Sequence, residues 1–460
     1  MVEVAVSGGA GVRVLAVSRV APAPAQVEER VGLSFFDTPW VVLPPIQRVF
    51  LYETTAVDEG DGDGFAAAVE RLKGSLAATL ALYLPLAGKL AYVAETGDVV
   101  VDCGADAGVA FVEAEADAAA VDVRRLAGDE AHDMAAFVAL VPELDTRVLP
   151  APLLSVQATR LGAGLALGLS IHHAVADGRA VWQFMEAWSS AARVGSPVTK
   201  SLGPPHYSRE AVIPHPNGSE LARQMLKMVA PKLPVASAVE YDFTQRFRLA
   251  RRTFYLDANV IRSLKRRIDE LASAEAAAGG EAKPVSTFVA LAAMGWTAFV
   301  RSKGLATGDD TYLVFLADLR ARLDPPVGEG YIGNCVKMCL ATCPDAAELL
   351  GERGLLRAAR AVQAAVAEME AAPLAGTDGS VIARMMQLPF TRLANVAASP
   401  RFRAYDAADF GFGKPARVEL VSMNHDGEMV LVGGRRDGEV QLSVSINPAH
   451  VDAFKAQVLG

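Results

Sequence analysis

The chain has 460 residues, of which 52% are hydrophobic, and a formal charge of −9 with acidic and basic side chains interspersed. One hydrophobic core organises roughly 250 to 300 residues, so two domains of similar size are expected. No basic stripe is present to neutralise a phosphate backbone, and the most apolar stretch, Leu76 to Leu86, is shorter than the about 20 residues of a membrane span, which argues against nucleic acid and membrane as partners.

Met1-Val2-Glu3-Val4-Ala5-Val6 alternates and carries a glutamate, so it reads as a strand and not as a secretory leader. The expectation is a soluble, cytoplasmic protein. Arg13 to Val20 reads as a strand, Gly64 to Leu84 as an amphipathic helix and Asp98 to Asp102 as a strand, which is mixed α/β patterning. Ala105 to Val121, rich in Ala, Asp and Glu, reads as solvated surface with a short strand over Val109 to Val112. The apolar run Leu165 to Ser170 predicts a strand, and Val181 to Trp188 a helix. Composition shifts to Pro, Gly, Ser and His from Gly195 to Asn217, where an interdomain crossover is expected. Ser273 to Lys283 reads as an exposed loop before a strong helix, Ser286 to Arg301. Val418 to Met423, Glu428 to Val432 and Glu439 to Ser445 read as an antiparallel meander, capped by a helical tail from Pro448 to Val458.

Of the four cysteines, Cys335, Cys339 and Cys343 recur every four residues and so share a face of a strand or helix. With no Cys-x-x-Cys knuckle and no neighbouring histidine they read as reduced, packed thiols, and no metal is expected.

The chemistry points to His172-His173-Ala174-Val175-Ala176-Asp177-Gly178, between the predicted strand and helix, where rigid elements hold side chains at a cleft. An imidazole with a pKa near ~6.5 can take a proton from an alcohol or amine and return it to a leaving group. His173 is the candidate base, and His172, facing the other way, is expected to pack or cap. Asp177 has two readings: it orients the imidazole, or it ties down the loop by pairing with a cation. A metal-binding His-x-x-x-Asp pair lacks a third ligand nearby, and the Gly-x-Ser-x-Gly of serine hydrolases is absent. Asp409-Phe410-Gly411 looks like the magnesium-binding turn of protein kinases, but the other kinase motifs are missing. Asp409 to Pro415 reads instead as a glycine-permitted corner where aromatic rings pack and the aspartate meets a cation.

With His-x-x-x-Asp-Gly in mid-chain and Asp409-Phe410-Gly411-Phe412-Gly413 near the C-terminus, the chain resembles the plant BAHD acyltransferases. Leu33 to Trp40, Pro44 to Arg48 and Tyr83 to Leu90 resemble segments of the same family. The resemblance implies two similar chloramphenicol-acetyltransferase-like α/β domains, with mixed β-sheets flanked by helices. Residues 1–194 would carry His-x-x-x-Asp, 195–245 would form a long crossover, and 246–460 would carry the Asp-Phe-Gly-Phe-Gly motif.

By the same resemblance, His173 is the catalytic base. Asp177 turns from the substrate and pairs with Arg320, while Gly178 and Asp409 are structural. Ser286 and Thr287 open a coenzyme-contacting helix. Phe412 stands where the family has tryptophan, keeping an apolar ring but losing the indole donor. Tyr331-Ile332-Gly333-Asn334-Cys335 resembles the Tyr-Phe-Gly-Asn-Cys of the subgroup that acylates the sugar of flavonoid, anthocyanin and other phenolic glucosides, often with malonyl-CoA. Arg179 is a candidate to meet a malonyl carboxylate. However, malonyl users can carry an arginine two positions later, where this chain has Val181. Ser399-Pro400 lacks the tryptophan of shikimate-type hydroxycinnamoyl transferases.

The expected activity is transfer of a malonyl or hydroxycinnamoyl group from acyl-CoA to a sugar hydroxyl of a phenolic glycoside, by a monomer with no bound cofactor and acyl-CoA as co-substrate. Three alternatives stand beside it. One is a non-glycoside alcohol or amine acceptor. Another is a non-catalytic CoA- or ligand-binding protein. The third is a condensation-type domain of peptide assembly lines, which shares His-His-x-x-x-Asp-Gly but works beside a carrier domain for which the chain has no room.

Overall fold

The computed structural model describes residues 11–26, 29–54, 63–117, 119–162, 164–198, 203–207, 209, 215, 217–236, 242, 244–276 and 284–460. The strand expected over Met1 to Val6 and much of the expected crossover lie outside them. The chain forms two compact units. The first comprises Met1–Asp242, Leu323–Cys335 and Ala404–Ser422, and the second Phe243–Arg322, Val336–Arg403 and Met423–Gly460.

The first unit is built on a six-stranded mixed sheet of β1 (Val12–Val20), β2 (Ile46–Glu53), β3 (Val109–Ala116), β4 (Leu154–Arg160), β5 (Gly164–Ile171) and β6 (Arg417–Leu420), in the order β1-β3-β4-β5-β2-β6. Only β3 and β4 pair in parallel; the other neighbours are antiparallel. All eight residues of β5 are buried, as its unbroken apolar run predicts for a strand covered on both faces. On one face Val49, Leu51, Ala166 and Val421 pack with Leu126 and Phe137 from two short helices, Val123–Gly128 and Met134–Ala139, and with Leu140, which caps the second. Close approach there requires Gly168, because a Cβ would sit 2.0 Å from the carbonyl oxygen of Leu140.

The other face carries α1 (Asp63–Leu80) and α2 (Gly178–Val194), which pack together. Trp188, fully buried on α2, donates its indole N–H to Leu72 O and Ser75 Oγ on α1 at 3.1 and 3.0 Å. A smaller antiparallel sheet joins Glu29–Gly32, Asp98–Cys103, Lys89–Val93 and Ala151–Pro152.

The second unit has its own six-stranded mixed sheet, running Ala250–Leu256, Val440–Ile446, Glu428–Gly433, Leu393–Ala398, Thr311–Asp318, Val336–Cys343. Its core helix α3 (Thr287–Lys303) packs against Ala258–Ala276, Gly354–Ala371 and the C-terminal helix Val451–Leu459. The Ser286 side chain caps α3 by accepting from Val289 N, and Gly304 ends it in the left-handed conformation at φ 60°. Of the loop expected over Ser273 to Lys283, residues 273–276 are the end of a helix and 277–283 lie outside the described residues.

Two differences from the linear reading bear on the site. The expected meander is broken: Arg417–Leu420 pairs with β2 in the first unit, while Glu428–Gly433 and Val440–Ile446 pair in the second. The division at 194 and 246 also puts Tyr331 to Cys335 and Asp409 to Phe412 with the C-terminal half, whereas both segments belong to the first compact unit. Asp409 to Phe412 comes with β6, which satisfies the unpaired backbone groups at the edge of β2, and Tyr331 to Cys335 is held by hydrogen bonds of Asn334 to Asp37 and of Cys335 to Asp177. No helix among the described residues is long and apolar enough to cross a membrane.

Candidate active site

β5 ends at Ile171 and delivers both histidines. His172 is fully buried, and its Nδ1 accepts the Ala174 N–H at 3.2 Å, so it caps the short turn His173–Val175. Burial, then the neighbouring His173, lowers its pKa to about 3. His173 is half-buried and lies flat on the Trp40 ring, with centroids 4.1 Å apart and planes 11° from parallel. Burial lowers its pKa to about 4, against the opposing pull of its own backbone, the Asp177 charge and the Asn334 side chain. At neutral pH the imidazole is therefore uncharged and able to accept a proton. Its Nδ1 is buried with no hydrogen-bond partner among the described residues.

Asp177, 2% exposed, is the N-cap of α2: one carboxylate oxygen accepts the Ala180 N–H at 2.9 Å and the other the Cys335 N–H at 3.0 Å. This carboxylate thus ties the start of α2 to the Tyr331 to Cys335 segment. Gly178 is the first residue of the helix. Arg320 lies in the second unit, where its Nη1 is 3.2 Å from Asp318 Oδ1.

The segments Ser34 to Trp40 and Asn334 meet behind His173. Asn334, fully buried, donates its side-chain amide to the main-chain oxygen of His173 at 2.9 Å and to Asp37 Oδ1 at 3.1 Å, and its backbone N–H to the same oxygen at 2.8 Å. The other oxygen of Asp37 accepts from Ser34 N, Ser34 Oγ and Arg209 Nε at 2.9, 2.7 and 3.2 Å. Asp37 is fully buried, and its charge is met by a buried guanidinium. Sequence reasoning assigned no role to Trp40, Asp37 or Arg209; the only signal was that Asp37 and Trp40 fall in one of the family-like segments.

The remaining expected site residues are dispersed. Arg179, proposed to meet a malonyl carboxylate, forms an ion pair with Glu329, whose carbonyl takes the Gln183 amide at 2.7 Å. Ser286 and Thr287 start α3 in the second unit, the serine exposed. Ser399, also in that unit, accepts the Arg401 N–H on its hydroxyl at 3.2 Å. Asp409 and Phe412 form a corner at the far end of α2, about 24 Å along the helix from Asp177 at 1.5 Å per residue. There the Asp409 carboxylate accepts the Gly411 N–H at 2.9 Å, while the cation Arg193 takes its main-chain oxygen and not, as expected, its side chain. Phe410 meets Trp188 edge-on at 4.7 Å, and Phe412 meets Tyr52 at 5.9 Å. Within the first unit the structure brings His173, Asp177 and Asn334 together with Trp40, Asp37 and Arg209.

A model of the transferase family matches residues 10–458. The chain is 29% identical to phenolic glucoside malonyltransferase 2 of Arabidopsis thaliana, over 92% of each chain. It is 30% identical to the BAHD acyltransferase DCR of the same plant, over 95% of this chain and 90% of that one. The crystal structure of vinorine synthase superposes with a TM-score of 0.70 over 97% of this chain and 98% of that one, at 18% identity, a likeness of fold. On the match along nearly its whole length, the chain belongs to the transferase family and, within it, to the BAHD acyltransferases, which use a CoA thioester as co-substrate.

Proposed function

We propose that this enzyme moves a malonyl or hydroxycinnamoyl group from acyl-CoA to a sugar hydroxyl of a flavonoid or other phenolic glucoside, with His173 as general base. The observation that carries the reading is an imidazole kept neutral by burial against Trp40, on a turn held by Asn334. Nε2, the ring nitrogen other than the buried Nδ1, takes the hydroxyl proton as the oxygen attacks the thioester carbonyl. The tetrahedral intermediate then collapses, the C–S bond breaks, and the imidazolium returns the proton to the departing thiolate. Asp177, with both oxygens bound to backbone N–H groups, acts as a brace for the loop. The glucoside acceptor is supported by the likeness of Tyr331 to Cys335 to the subgroup motif and by the malonyltransferase named above.

The test is a matrix of malonyl-CoA, coumaroyl-CoA and acetyl-CoA against flavonoid glucosides, their aglycones and an amine, with released CoA read by a thiol reagent. Turnover on glucosides but not aglycones is expected, falling at least about 10³-fold in His173→Ala. Turnover on aglycones alone would replace the acceptor assignment. A folded His173→Ala variant with full activity would overturn the base.

A further inference from the structure

Arg48 lies on β2, opposite Leu169 of β5 and Leu420 of β6, and is 5% exposed. Its Nε is fully buried with no hydrogen-bond partner among the described residues. Its one contact of note is with Trp182, the guanidinium carbon standing 4.7 Å from the ring centroid. A buried charge that is neither paired nor hydrogen-bonded is costly, and such groups persist where something else completes them.

Among the described residues, no ion pair of Arg48 is found on the near face of the sheet. Side chains alternate along β2, so Arg48 and Phe50 share the face turned to Trp182 on α2, while Gln47 and Val49 face the opposite core. Glu419, the acid whose charge favours protonated Arg48, pairs with Val49 and so points to that opposite face. There it holds Arg417 Nε at 2.8 Å, with His132 Nε2 3.5 Å away. Burial lowers the Arg48 pKa to about 10, which leaves it charged at neutral pH.

Its position is at the catalytic end of the unit. Leu169, its partner, is four residues before His173, about 13 Å of extended chain at most, and an arginine side chain covers about half of that. Trp182 is five residues beyond Asp177, about 7.5 Å along α2.

We propose that Arg48 is the binding group for a carboxylate at the tip of the transferred acyl group, so that the donor is a dicarboxylic acyl-CoA of the malonyl type. The inference rests on the acyl-CoA reading above and chooses among its donors. A guanidinium held by its stem and by Trp182 keeps its terminal N–H groups for a carboxylate, which it can engage in parallel hydrogen bonds. Arg179, the other candidate, already has Glu329 as its counter-ion.

The test is calorimetric titration of the full chain with malonyl-CoA, malonyl-CoA methyl ester and acetyl-CoA, without acceptor, for the wild type, Arg48→Met and Arg48→Lys. The wild type should bind malonyl-CoA about 10- to 100-fold more tightly than the ester or acetyl-CoA, the range of a charge-assisted hydrogen bond. Arg48→Met should reduce that preference to about twofold with acetyl-CoA affinity unchanged, and Arg48→Lys should keep part of it. The ester comparison needs no variant and so holds if one fails to fold. The proposal is overturned by a wild type that does not distinguish malonyl-CoA from its ester, by a preference that survives in Arg48→Met, or by equal weakening of all donors. Because binding is read without turnover, failure here is distinct from failure of the acyl-transfer reading, which shows as no CoA release with any pair.

Discussion

The side-chain amide of Asn334 donates to the main-chain oxygen of His173 at 2.9 Å, from 161 residues further along the chain, and Asp37 holds that amide in turn. The turn bearing the imidazole is thus fixed from outside its own loop, by a buried amide and a buried ion pair.

Asn334→Ala removes the bonds to His173 O and Asp37 from the side chain while leaving the backbone bond to Asp37 in place. Stability should fall by about 1 to 3 kcal/mol, because buried acceptors lose their donor. kcat/KM should fall about 10- to 100-fold as the imidazole loses its fixed position. Thermal unfolding and steady-state kinetics on one preparation check both, and unchanged kinetics in a destabilised protein would reduce Asn334 to a packing residue.

Asp177→Asn keeps one acceptor but turns an N–H2 toward either Ala180 N–H or Cys335 N–H. A loss of about 1 to 3 kcal/mol is expected, with activity falling in step. Loss of rate at unchanged stability would instead favour the orienting role for the carboxylate.

The pH profile reports the burial of His173. A base whose folded pKa lies at about 4 is deprotonated above that value, so kcat/KM should be flat from about pH 6 upward and fall only on the acid side, below the ordinary histidine value of ~6.5. Trp40→Ala exposes the ring, weakening the largest cause of the lowered pKa, and the acid limb should move upward. Activity at pH 5.5 relative to pH 8 should then drop. An acid limb at the same pH in both proteins would show that Trp40 does not set the environment of the base.

Gly411 adopts φ +93°, and a Cβ there would stand 2.8 Å from Arg71 Nη1. Gly411→Ala should cost about 1 to 3 kcal/mol through left-handed backbone strain and displacement of Arg71. With the corner about 24 Å along α2 from Asp177, kcat at a temperature well below unfolding should stay within about twofold of the wild type.

Much of the site was legible where the signal is local. The largely apolar Leu165 to Ser170 reads as a strand, and His-x-x-x-Asp-Gly between it and an amphipathic run marks a strand-to-helix junction. The aspartate at that junction has the residue type of an N-cap, a role the linear reading does not assign to it, whereas Ser286 is read there as a helix start. The bond from Asp177 to the Cys335 segment was not legible. Neither the spacing to His173 nor the family likeness points to the backbone N–H of Cys335, because a backbone donor has no residue type to announce it.

The sequence by itself pointed to two α/β domains and to a strand-to-helix junction at His172 to Gly178, since periodicity acts over a few neighbouring residues. Only tertiary structure decided which strand Val418 to Met423 would join, because an apolar run of that length fits any free sheet edge. It also decided that Trp40 lies on His173, that Asn334 and Asp37, 297 residues apart, meet behind it, and that Arg48 is buried against Trp182. Each depends on contacts between segments far apart in the chain, where residue type sets what a side chain can bond but the packing of strands and helices sets what it meets.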